Sequence, residues 1–210
     1  MVYGVFAAPP PLFQLFSAFG DPTLKAGTST GWDIGIEQHG WENRLTTGLT
    51  YFNHTFNNMV GFDNNTFTYN NIFRADTQGV EWFGLARPLS GTTIRLNYTF
   101  TDTEDKATGL SLVRRPRHKG RLEVNHRVGD RADLHLDLHL VGDRMVHDFS
   151  SFPSTRMTLD SCQRVNLAGT YRVTSHLQLL GRIDNLFNKN YQEALGFGTP
   201  GRSGFFGIRI

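Results

Sequence analysis

Residues 133–140 read Asp133-Leu134-His135-Leu136-Asp137-Leu138-His139-Leu140, a run that sets two imidazoles around a carboxylate at a spacing of two. On a strand, His135, Asp137 and His139 would share one face, and that is the donor chemistry of a divalent-metal site or of a His–Asp proton-transfer pair. Side chains two apart on one strand stand roughly 7 Å from each other, too far for two ligands held about 2 Å from one ion, so a metal needs help from a neighbouring strand. Acid–base work needs partners within hydrogen-bond reach, and nothing in the sequence places these three so. The run therefore predicts no metal, no cofactor and no catalytic residue. A small complete barrel enzyme, such as a surface protease working from this face, stands as the alternative.

The second candidate is the basic run Arg114-Arg115-Pro116-Arg117-His118-Lys119. Such a run suits nucleic-acid phosphates, but at the junction of a long loop and a strand it reads as a charged rim. There it would meet anionic groups such as lipopolysaccharide phosphates or acidic loops. The formal net charge of +2 demands no nucleic-acid partner. Cys162 is the single cysteine, so neither an internal disulfide nor a thiolate cluster is available. Asn53-His54-Thr55 and Asn97-Tyr98-Thr99 match the glycosylation sequon, a match that would carry no such meaning on a bacterial membrane strand.

The elements that must position these groups alternate with a period of two. Leu134, Leu136, Leu138 and Leu140 oppose the polar set of the octapeptide, and the same pattern puts Ile94, Leu96, Tyr98 and Phe100 against Thr93, Arg95, Asn97 and Thr99. It recurs at Leu122 and Val124 against Arg121, Glu123, Asn125 and Arg127, along 165–173 and 177–183, and at Trp32, Ile34 and Ile36. This is strand periodicity throughout, with no convincing helix. Hydrophobic residues make up 39% of the chain and no apolar stretch nears the roughly 18 residues of a helical span, which excludes an α-helical membrane protein but not a β-barrel.

Short turns near 39–40, 88–91, 129–130 and 174–175 alternate with long connections near 8–27, 58–68, 102–113, 142–158 and 188–201. That predicts about ten antiparallel strands, with the short turns at one end and the long loops at the other, the asymmetry of outer-membrane barrels. A soluble β-sandwich is the competing fold. Strands of ten residues or more, a charged face, and an opposite face ending in Tyr51, Trp82, Tyr98, Phe100, Tyr171 and Phe187 weigh against it.

The stretch Asp184-Asn185-Leu186-Phe187-Asn188-Lys189-Asn190-Tyr191, followed by Pro200-Gly201-Arg202 and a final strand, resembles the closing strands of TonB-dependent outer-membrane receptors. Phe6-Ala7-Ala8-Pro9, Gly20-Asp21-Pro22, Gly79-Val80-Glu81 and Tyr98-Thr99-Phe100-Thr101-Asp102 fit as well, so the resemblance covers essentially the whole chain. Residues 112–119 and 191–203 look most like the cobalamin receptors, although siderophore and haem receptors share much of the framework.

The resemblance implies an all-β fold, an antiparallel transmembrane barrel portion of about ten strands out of about 22. Residues 1–210 would be the C-terminal part, without the plug domain, the TonB box or a signal peptide, and not transport-competent alone. The implied place is the bacterial outer membrane and the implied role energy-coupled uptake of a large scarce ligand, cobalamin favoured. Implied partners are outer-membrane lipid and lipopolysaccharide, the barrel-assembly machinery, and the TonB complex only through the missing plug. Phe206, Ile208 and Ile210 would carry the assembly signal, with Ile210 standing where the family usually ends on an aromatic residue. Arg95, Asn97, Arg121, Glu123, Asp133 and His135 would face the lumen, and no ligand contact is named.

Overall fold

A computed structural model describes residues 1–63 and 66–210. The strands are β1 (Val2–Ala8), β2 (Gly27–Gly40), β3 (Leu45–Asp63), β4 (Thr68–Ala86), β5 (Thr92–Asp105), β6 (His118–Val128), β7 (Ala132–Val141), β8 (Arg144–Asp148), β9 (Thr155–Leu159), β10 (Cys162–Arg172), β11 (Gln178–Asp184) and β12 (Ser203–Arg209). Ten of them form one antiparallel sheet in the order β1-β2-β3-β4-β5-β6-β7-β10-β11-β12, while β8 and β9 make a separate hairpin. Neighbours in sequence are neighbours in space, as an up-and-down barrel wall requires.

Register explains the two faces. Val124, Leu136, Leu167 and Ile183 lie side by side across β6, β7, β10 and β11, and Arg95, Glu123, Asp137 and Asn166 form the corresponding row on the opposite face. Because the side-chain period is two, a slip of one residue in any strand would carry charges into the leucine row. The apolar face is not packed on anything: Ile36 is 70% exposed, Leu134 52% and Phe206 73%. A sandwich would bury such a face against a second sheet about 10 Å away. Here the only other sheet among the described residues is the β8-β9 hairpin, so the sandwich alternative fails. A continuous apolar face of this extent needs lipid.

Four local expectations change. A one-turn helix, α1 (Leu12–Phe16), occupies the first long connection, and Phe13 and Phe19 pack edge-on against Tyr69 and Phe62 of the β3–β4 hairpin. Five residues give no measurable 3.6-residue period, which is why no helix is predicted there. The expected connection at 58–68 is mostly strand, since β3 and β4 stay paired to Asp63 and Thr68, and residues 64–65 lie outside the described residues. The connection at 142–158 contains β8 and β9. Phe187 is not on the apolar strand face but in the turn after β11, 75% exposed.

Candidate functional site

The polar face is the concave one. It encloses a hollow of about 1010 Å³ whose lining includes Thr93, Asn125, Asp133, His135, Thr170 and Arg182. Above it, on the loop side, a network runs sideways through the wall. Asp137, only 6% exposed, accepts from Arg121 Nε at 2.8 Å and lies 2.6 Å from His139 Nε2. The second guanidinium arm of Arg121 reaches Glu123 at 3.0 Å. Asn166 Nδ2 donates to Asp137 at 3.3 Å, and its Oδ1 accepts the backbone N–H of Asn185 at 3.0 Å. Strands β6, β7 and β10 are thereby tied to the loop that follows β11.

Cross-strand pairing supplies what one strand could not. Ligand atoms of Glu123, His135 and Asp137 lie within 4.8 Å of one another, because β6 sets Glu123 opposite Asp137. The Arg121 guanidinium bridges both of those carboxylates, and His135 is engaged by Asn125 at 2.8 Å. A resident cation thus neutralises the acidic pair, and the arrangement is that of a structural ion-pair ladder. Asp137 and His139 do come within hydrogen-bond reach, which the spacing alone did not place, and the same carboxylate is also held by Arg121 and Asn166.

Of the predicted lumen residues, Arg95, Asn97, Arg121, Glu123, Asp133 and His135 share this one face by register. Asp133 pairs with Arg127 at 3.1 Å near the short-turn end. In β12, Phe206 and Ile208 lie on the opposite, apolar face, opposite Gly181 and Leu179, and Ile210 follows the strand with 96% exposure. The basic run begins with Arg114 at φ 59, whose N–H donates to Met145 of β8 at 2.7 Å, and Arg117 pairs with Asp102 at 2.9 Å. It is the seat of the β8-β9 hairpin. Inside that hairpin, burial and the nearby guanidinium groups of Arg156 and Arg114 hold His147 below the usual imidazole range.

One residue that sequence reasoning quoted without assigning a task is Asn185, 2% exposed at φ 51. Its Nδ2 donates to Lys189 O at 3.0 Å and Pro200 O at 3.3 Å, and its Oδ1 accepts Lys189 N–H at 2.9 Å. Asn tolerates the left-handed conformation and offers both a donor and an acceptor. That dual capacity in a turn was the available signal. The staple brings Tyr191 over β10, where Arg164 Nη1 donates to its hydroxyl at 3.0 Å.

Comparisons with known proteins agree with this geometry. Residues 3–186 match the family described as TonB dependent receptor-like, beta-barrel. Among solved structures, the ferripyoverdine receptor of the Pseudomonas aeruginosa outer membrane superposes with a TM-score of 0.82 at 20% identity, covering 99% of this chain and 30% of that one. The ferric-catecholate import receptor Fiu from E. coli gives 0.78 at 19%, covering 99% and 32%. A mutant ferric enterobactin receptor from Pseudomonas aeruginosa gives 0.76 at 21%, covering 98% and 37%. The chain spans about a third of the length of these neighbours, and at such identities the likeness is one of fold.

Proposed function

Because the chain belongs to the TonB dependent receptor-like β-barrel family and is an outer-membrane protein, we propose that it forms part of the wall of a receptor that imports a ferric siderophore. The observation that carries this is the asymmetry of the wall. Its apolar face meets lipid, its charged face lines a hollow, and its long loops gather at one end. A receptor wall has no chemistry to do, only positioning. The similar solved structures are receptors for iron chelates, which favours that ligand class over the cobalamin suggested by residues 112–119 and 191–203.

In this reading Arg95, Asn97, Arg121, Glu123, Asp133 and His135 face a plug domain and lumenal water, and the ladder around Asp137 keeps the wall rigid while cargo passes. Phe206, Ile208 and Ile210 present the apolar strand that the assembly machinery receives. Arg114, Arg115 and Arg117 stand near the lipopolysaccharide layer, and TonB engages the receptor through the plug. The test is ligand preference: cells that make a complete receptor containing this wall should accumulate iron from a ferric siderophore and lose that uptake when TonB is removed. Competition by cobalamin or haem, without competition by siderophore, would overturn it.

A further inference from the structure

Where the wall meets its loops, a small cavity of about 100 Å³ opens among His139, Arg144, Cys162, Arg164, Tyr191 and Glu193. Two of these residues are guanidinium groups from different elements, Arg144 at the start of β8 and Arg164 in β10. Each is anchored on one side only. Arg144 Nη2 donates to the carbonyls of Gln192 at 3.0 Å and Glu193 at 2.7 Å, while Arg164 Nη1 donates to Tyr191. Buried Nη1 of Arg144 and buried Nε of Arg164 have no hydrogen-bond partner among the described residues. Among the described residues, the only carboxylate lining the cavity near Arg164, that of Glu193, stands 4.0 Å away and is 75% exposed.

Buried N–H groups are nearly always satisfied, and here two of them, on guanidinium groups that are themselves only partly buried, stay unpaired among the described residues. An oxyanion answers both at once, because its oxygens accept the charge-assisted bonds that guanidinium forks are shaped to give. The volume is that of about three waters, enough for one small oxyanion group. Cys162 lies opposite Val141 and Arg164 opposite His139 in the strand register, so the cavity belongs to the concave, polar side. That placement favours an oxyanion entering by the lumen mouth over a lipid headgroup at the outer face.

We propose that Arg144 and Arg164 form a subsite for an oxyanion, a carboxylate or phosphate group, at the mouth of the barrel. The assignment of that group to the imported ligand rests on the receptor reading above, whereas the site itself does not. Cys162, the chain's one cysteine, lines the same cavity and reports on its occupancy.

The test uses outer-membrane vesicles from cells making a complete receptor that contains this wall. The rate at which methyl methanethiosulfonate modifies Cys162 is followed by mass spectrometry of its peptide, with inorganic phosphate or acetate titrated against chloride at constant ionic strength. Phosphate at ten times its Kd should slow modification about tenfold. R144Q/R164Q should abolish the protection, and R164K should keep part of it, which separates loss of the site from loss of fold. Protection already present before any anion is added, and removed by stripping lipopolysaccharide, would overturn the lumen assignment in favour of a lipid phosphate. An unchanged rate across the phosphate and acetate titrations, or equal slowing in R144Q/R164Q, would overturn the site. Siderophore uptake is measured on the same cells, so failure of the receptor reading shows separately.

Discussion

Asp137 shows what a single side chain contributes in a wall with almost no core. Its carboxylate holds Arg121, His139 and Asn166 together across three strands, so Asp137→Asn leaves two basic groups facing each other. Because Arg121 is 46% exposed, water screens part of the loss, and the barrel should be destabilised by about 1–2 kcal/mol in urea unfolding from detergent micelles. Asn185 is the other such residue. Asn185→Gly keeps the left-handed backbone but removes three side-chain bonds, for an expected loss of about 2 kcal/mol, and Asn185→Ala should cost more. A pH effect belongs here too. His147 is held below its ordinary value first by burial, so near that value the unfolded chain binds more protons than the folded one. The β8-β9 hairpin should therefore lose protection from hydrogen exchange as pH falls through about 6.5, and hold it above. The polar residues of this face were legible from alternation alone. Their partners were not, because Glu123 meets Asp137 only through register, and the Asn166–Asn185 bond spans a loop that no periodicity describes.

At the scale of strands, close approach decides register. Gly79 pairs with Phe52 on one side and Thr101 on the other, and a Cβ there would overlap the Phe100 carbonyl oxygen and the Phe52 ring. Gly79→Ala should disrupt the β4–β5 pairing and lower the yield of heat-modifiable barrel, whereas Gly181→Ala, with nothing within 4 Å of the added carbon, should leave it unchanged. If both variants assemble alike, register is not set at Gly79. The ten strands were readable because lipid on one side and water on the other impose a period of two over long runs. The 58–68 segment misled because its polar residues, read as loop, extend β3 and β4 to 19 residues each. There Asp76, in β4, pairs with Arg74 and Lys106, which suits an aqueous setting.

The whole molecule is a curved sheet whose end strands, β1 and β12, are each paired on one side among the described residues. Unpaired backbone groups in hydrocarbon cost several kcal/mol each, so this sheet needs further strands to close in lipid. Made without them, the chain should give no heat-modifiable barrel and no uptake, and a stable ten-strand pore in vesicles would contradict that. Its span, about a third of its structural neighbours, fits the same expectation. The central claim is that this wall belongs to a siderophore importer, and uptake tests it most directly. Cells making the complete receptor are offered radiolabelled iron as a ferric siderophore, with and without TonB and with cobalamin or haem in excess. The account predicts TonB-dependent accumulation that neither competitor reduces. Accumulation that persists without TonB, or that cobalamin abolishes, would contradict it.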